Sequence, residues 1–301
     1  LELLPYVSGR AEYIDPDIPG DPFNDGSRYF GSAGLDLKYG VGTNMVLTAA
    51  FNPDFGQVEV DPAVVNLSEY EVFFEEKRPL FTEGSQTFSN FGRSGASEYI
   101  TFYFPEPILF YSRRIGRAPQ GLPNATFVDQ PAFTTILGAG KLTGRTASGW
   151  TIAVLDAVTG SESANLSEEA SRQRIEVEPL TNYFVGRAQR DLGSRGAIGF
   201  IGTAVNRRLN AESGLDRRLV NQAYVGGVDG HYFLDPDHDW VWTGGFSAGT
   251  VQGSRESVLR LQRAEQRYYQ RPDADYVTLD PSRTSLSGWS CLLYTSPSPR
   301  D

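Results

Sequence analysis

The stretch Phe51–Pro62, FNPDFGQVEVDP, gathers oxygen donors at short spacing: Asn52, Asp54, Glu59 and Asp61. Carboxylates and carbonyls are what a hard cation such as calcium takes. The spacing matches no established calcium loop and the EF-hand pattern is missing, so no metal is assigned. Downstream, EYEVFFEEKRPLFTEG carries Glu71, Glu75, Glu76, Lys77, Arg78 and Glu83 among aromatics, and YSRRIGR carries Arg113, Arg114 and Arg117. Guanidinium forks suit bidentate pairing with carboxylates inside a polar enclosure, so these two segments are expected to meet. Asp54, Glu59, Asp61, Glu75, Glu76, Lys77, Arg78, Arg113 and Arg114 are therefore the candidate lumen or lid residues. Catalysis leaves no comparable signal. GFSAG, Gly245–Gly249, fits the letters of a nucleophile elbow but falls inside a predicted strand, not on a strand-to-helix turn. No P-loop and no dinucleotide fingerprint opens a helix. His231 and His238 make a weak zinc or acid–base pair. LDPDHD reads first as a turn, since Asp and Pro favour turns. No catalytic residue and no cofactor is assigned, and an enzyme is the less favoured class.

The elements that must position these groups are strands. Ala33, Leu35, Leu37, Tyr39 and Val41 share one face of a strand and Ser32, Gly34, Asp36, Lys38 and Gly40 the other. After the GVGTN turn the apolar face continues through Met45, Leu47, Ala49 and Phe51, which makes a hairpin with one apolar and one polar surface. TTILGAGKLTGRT with WTIAVLDAV, NYFVGRAQRDL with GAIGFIGTAV, and AYVGGVDGHYF with WVWTGGFSAGTV repeat the theme around short turns. Long polar connections, Val158–Pro179, Asn206–Asn221 and Gly253–Pro281, alternate with those turns. SRESVLRLQRAEQRYYQRP, Ser254–Pro272, is the one helix-like stretch, placed in a long outer loop. Tight turns at one end and long loops at the other are the asymmetry of a transmembrane β-barrel. Tyr39, Trp150, Tyr183, Trp240 and Trp242 lie near strand ends, where an interfacial girdle would sit. The polar faces, with Asp36, Lys38, Lys141, Arg145, Arg187 and Asp229, then point inward. A soluble, Gly-rich antiparallel sandwich or barrel is the competing reading, because TIAVLDAV is apolar on both faces and Arg187 falls beside Tyr183 and Val185.

Composition sets outer bounds. The 301 residues carry a net charge of −10, which argues against a nucleic-acid partner because phosphate contacts need clustered Lys and Arg. No apolar run is long enough for a transmembrane helix. The chain begins LELLPYVSGR without Met and is read as a fragment lacking its true start. Its single cysteine lies in CLLYTSPSPRD, residues 291–301, which is expected to be a sequencing-adaptor artefact and is set aside. Disulfides and cysteine metal sites are then excluded for the remainder.

NPDFGQVEVDPAVVNLSEYEVFFEEKRPLFTEG, LFYSRRIGR, ILGAGKLTGRTASGWTIAVLDAVT and RTSLSG together resemble the bacterial carbohydrate-binding family 9 domain-containing proteins. The resemblance runs from Leu1 to about Gly288. Here FFEEKRPLF stands where that family tends to have FFPEKRPFF. The resemblance implies a large domain of unknown function, similar to an outer-membrane β-barrel, preceded by a secreted sugar-binding-type module that this sequence lacks. It also implies glycans as ligands and outer-membrane lipid as surroundings.

The expectation is an all-β fold: an antiparallel up-and-down transmembrane β-barrel, present as an incomplete fragment with long outer loops. Residues 1–290 form its N-terminal part and 52–98 a long insert, a lumen or lid element. Phe51, Phe55, Tyr70, Phe73, Phe74, Phe81, Phe88 and Phe91 make that insert too aromatic for disorder. It is read as a substrate-contacting loop, a fold-stabilising plug, or a surface loop packed on its own aromatics. The expected function is a channel, receptor or transport component of the outer membrane for glycans or similar solutes. A secreted or surface carbohydrate-active hydrolase and a non-enzymatic envelope module are the alternatives.

Overall fold

The computed structural model describes residues 1–13, 20–53, 73–92, 108–168, 171–237 and 240–264, with the backbone alone for Ser285–Thr295. Asp54, Glu59, Asp61, Glu71, His238 and the stretch from 265 to 284 lie outside the described residues, as does the tail from 296.

Ten strands form one antiparallel sheet. In spatial order they are β1 (Glu2–Tyr13), β2 (Ser27–Val41), β3 (Met45–Phe51), β5 (Ile136–Arg145), β6 (Trp150–Thr159), β9 (Thr181–Asp191), β10 (Gly196–Arg207), β11 (Gln222–Phe233), β12 (Val241–Gln252) and β13 (Ser285–Thr295). β13 includes Cys291 to Thr295, paired with Val241 to Gly245. A second sheet sets β7 (Glu162–Glu168) between β4 (Phe127–Asp129) and β8 (Ser171–Glu178). The all-β, up-and-down order is therefore present. Among the described residues β1 and β13 do not pair with each other, so the described sheet is an open array.

All connections after Val41, Arg145, Asp191 and Phe233 leave from one end of the sheet. Those after Tyr13, Phe51, Thr159, Arg207 and Gln252 leave from the other. The second end carries the β4–β7–β8 sheet, the insert, and helix α3 (Arg255–Gln262), whose N-cap Ser254 accepts from the Ser257 N–H at 3.2 Å. The helix-like stretch thus forms a helix in its first part.

Residues opposite one another in the register share a face. Lys38, Thr48, Lys141, Leu155, Val185 and Thr203 form one row. The rows flanking it on that face hold Asp36, Ala50, Ala139, Ala157 and Tyr183 on one side, and Ala153, Arg187, Ile201 and Gly227 on the other. This face is covered by residues 73–92 and 108–121. The core lies between the two layers: Phe81, Phe88 and Phe91 from the insert, with Ile115 from the segment after it, pack on Ala153, Leu155, Val185 and Ile201. Burying one such aromatic or aliphatic side chain contributes about 1.5–3 kcal/mol. The opposite face bears Leu37, Leu47, Val154, Phe184, Phe200, Val228, Trp242 and Phe246, and many of these are exposed, Phe246 at 51% and Trp242 at 46%.

TIAVLDAV is apolar on both sides because Ala153, Leu155 and Ala157 meet the insert while Ile152, Val154 and Val158 face out. Tyr183 corrects the girdle expectation. It is 7% exposed, on the covered face, inside the core cluster.

Candidate functional site beneath the insert

The insert is held at three places, each with charged groups. At its start, Glu76 accepts from Arg78 Nε at 2.8 Å and Nη2 at 2.7 Å, and from the Ser112 hydroxyl at 2.6 Å. Arg78 also donates to the carbonyls of Ile115 at 2.6 Å and Ser112 at 2.9 Å, and stacks over the Phe81 ring at 4.3 Å. Tyr111 bonds both backbone groups of Phe74, and Arg113 reaches the Glu75 carbonyl at 2.8 Å. The FFEEKR and YSRR segments therefore meet, as their charges suggested. The carboxylate partner is Arg78, however, while Arg113 engages a main-chain oxygen. Burial pulls the Glu76 carboxyl upward, but the bonds and charge of Arg78, with the Ser112 hydroxyl, outweigh it and hold it below the usual range. Lys77 and Arg114 flank this knot, Lys77 half-buried and Arg114 exposed.

In the middle, helix α1 (Pro79–Thr82) ends above β5. The Lys141 ammonium, 2% exposed as a residue, donates to the carbonyls of Leu80 and Glu83. The last carbonyls of a helix attract a cation, and here a strand supplies it. Lys38 bonds the Glu83 carboxylate at 2.6 Å, which holds that carboxyl below its ordinary value.

At its far end, helix α2 (Gln86–Ser89) leads to Asn90, Phe91 and Gly92. Asn90 donates to Gln189 at 3.1 Å, and the Gly92 N–H to Asp229 Oδ2 at 2.9 Å. Asp229 is also clamped by Arg187, at 2.5 Å to Nη1 and 2.8 Å to Nη2. The Phe91 ring lies 5.5 Å from that guanidinium. Two glycines make room. A Cβ on Gly199 would sit 2.7 Å from both guanidinium nitrogens, and one on Gly227 would sit 2.7 Å from the Phe91 ring.

Lys38, Lys141, Arg187 and Asp229 were read as inward polar residues that tune a lumen. They occupy the covered face and hold the insert to it. Arg145 pairs instead with Asp191 at 2.8 Å in an exposed bridge at the short-turn end. Ser247 of GFSAG is buried within β12, away from any turn.

A fourth group lies at the long-connection end, and Arg117, expected to pair with acids of the insert, is its one member with a signal in the sequence. Arg207 lies on the covered face in the row of Thr181 and Thr159, one step above Tyr183. It donates to the Val220 carbonyl at 2.9 Å and comes within hydrogen-bonding reach of the Tyr183 phenol. Arg117 follows Gly116, which packs on Ile136 of the same row. Glu178 is close, but its two oxygens take the N–H and side-chain amide of Gln120 at 2.8 and 2.9 Å. Only the fold brings these residues together.

Fold and site define a class: an antiparallel meander whose polar face is sealed by an aromatic insert and whose other face is apolar and exposed. Residues 1–223 match the model of a domain of unknown function (DUF5916), and the chain belongs to that family. No curated protein and no solved structure matches the chain.

Proposed function

We propose that the chain is part of an outer-membrane β-barrel, a receptor or transport component for glycans or similar solutes, in which the insert is the gate. The observation that carries this reading is the inversion of the sheet's two faces. Buried charges lie inside, under the insert, while Phe184, Phe200, Val228, Trp242 and Phe246 are exposed outside. A soluble sheet hides such a face, whereas a lipid-facing one displays it, alternating with a polar interior. The grouping of short and long connections at opposite ends supports the same reading. Closure of the sheet on itself removes the edges that lipid does not solvate. The ligand class rests on the resemblance to carbohydrate-binding family 9 domain-containing proteins.

A hydrolase needs carboxylates free to act on substrate. Glu76, Glu83 and Asp229 instead fasten the insert and Glu178 is occupied by Gln120, which leaves Asp36, with Oδ1 buried and unbonded, as the covered-face acid not so engaged among the described residues. An open pore is disfavoured for the same reason, since the insert is tied to β2, β5, β9 and β11.

The test is membrane fractionation of cells expressing the full-length gene, with electrophoresis before and after boiling. Outer-membrane residence with a heat-dependent mobility shift supports the barrel, and a soluble protein without a shift overturns it. Conductance in planar bilayers then separates a transport component, in which loosening the insert raises current, from an envelope module that conducts in neither form.

A further inference from the structure

The Nε atoms of Arg117 and Arg207 are both buried and have no hydrogen-bond partner. A buried guanidinium normally spends its donors on carboxylates or carbonyls, and an orphaned one needs a reason. For Arg207 one donor is spent on Val220. For the Arg117 side chain no bond forms among the described residues, although its own carbonyl is fixed by the N–H and hydroxyl of Thr134 at 3.0 and 2.7 Å. The backbone is thus pinned while the fork is left open.

The surrounding charge points the same way. Glu178 is the carboxylate that acts on Arg117, and it spends both oxygens on Gln120, while the charges of Arg207 and Arg114 act against it. The Tyr183 phenol completes the wall. Burial pulls Arg117 below its usual range and the neighbouring Arg207 and Arg114 charges add to this, with Tyr183 and Glu178 offsetting them only in part.

We propose that Arg117 and Arg207 form a binding site for an oxyanion, the phosphate or carboxylate of a solute, at the long-connection end of the covered face. Two planar forks with unspent N–H donors are the arrangement that recognises a tetrahedral or planar oxyanion through paired N–H groups. The Tyr183 hydroxyl adds a further donor. The site does not depend on whether the sheet closes in a membrane.

The experiment uses the purified full chain. Its unfolding midpoint is followed against sodium phosphate and sodium galacturonate, with sodium chloride at equal ionic strength as reference. The expected result is a saturable rise of roughly 2–4 °C beyond chloride. Arg117→Gln should lose the rise, while Arg195→Gln, in an exposed turn at the other end, should keep it. Should Arg117→Gln fail to fold, Arg117→Lys keeps the charge without the fork and is expected to bind several-fold more weakly. A response to phosphate alone assigns a phosphate ligand, and a response to galacturonate alone a carboxylate. Equal midpoints in all three salts, or an undiminished rise in Arg117→Gln and Arg117→Lys, overturns the proposal.

Discussion

Arg187 and Asp229, 42 residues apart in the chain and two strands apart in the sheet, meet in a bidentate pair that bridges over Gly199. Both side chains are almost wholly removed from solvent, at 0% and 6%. The pair fixes β9 to β11 and also presents Asp229 to the Gly92 N–H, so one contact serves the sheet and the insert together.

Breaking the pair from one side leaves an uncompensated buried charge. Arg187→Met is expected to destabilise by about 3–5 kcal/mol. The double variant Arg187→Met with Asp229→Leu should recover most of that loss, because a buried pair replaced by apolar groups is often close to neutral. Urea unfolding of the three proteins checks this, and equal losses in single and double variants would count against it.

Gly199 and Gly227 are needed for space, not for backbone freedom. Gly199→Ala pushes a methyl into the Arg187–Asp229 pair, and Gly227→Ala pushes one into Phe91. Each is expected to cost about 1–3 kcal/mol by overpacking. Gly202→Ala and Gly226→Ala, with open space at the same positions, should change stability by less than about 0.5 kcal/mol.

The strands that alternate cleanly were legible: β2 with β3, β5 with β6, β9 with β10 and β11 with β12 were all paired correctly from period two. β7 and β8 were not, because ESANLSE and SRQRIEVE carry few apolar residues on either side. Their signal was Ala164 and Leu166 against Ile175 and Val177, too sparse to separate from a polar loop. The aromatic insert was legible as a packed segment from Phe81, Phe88 and Phe91. Its anchors were visible only as polar residues on strands, since the pairing of Lys141 with two carbonyls depends on where α1 ends. Tyr183 was misplaced because proximity to a strand end does not say which face a residue takes. Period two already sets it beside Val185 and Arg187, and that shared face is the covered one.

The Glu76 knot has a pH signature. A carboxyl held below its ordinary value when folded contributes stability that is complete above the unfolded value of 4.5 and is lost as pH falls through the lower folded value. Wild type should therefore lose stability relative to Glu76→Gln as pH drops from about 7 to about 3. At neutral pH the variant should be weaker by roughly 3 kcal/mol, since Arg78 is then left without its carboxylate. A pH-independent difference between the two would sink this account.

Lys141→Met tests the hold on α1. It keeps the stem that packs between the layers and removes the ammonium that binds the Leu80 and Glu83 carbonyls. The expected outcome is faster protease cleavage within residues 73–92, with the protected sheet fragments unchanged. Unchanged cleavage would assign the hold to the other anchors, at Glu76, Glu83, Asn90 and Asp229.

The two faces of the sheet make opposite demands on the same substitution. Phe200 stands on the exposed apolar face of β10, in register with Val228 of β11. Arginine there meets hydrocarbon if the face is in lipid, at about 2–4 kcal/mol near the bilayer midplane, and meets water if it is not. Phe200→Arg should therefore block assembly in the membrane. Lys38→Gln, on the covered face, loses only a solvent-screened bond to Glu83 and should assemble normally. Heat-dependent mobility of the two variants reads the difference. Normal assembly of Phe200→Arg would mean that this face meets water and not lipid, because an exposed phenylalanine on a solvated sheet is replaced by arginine at almost no cost.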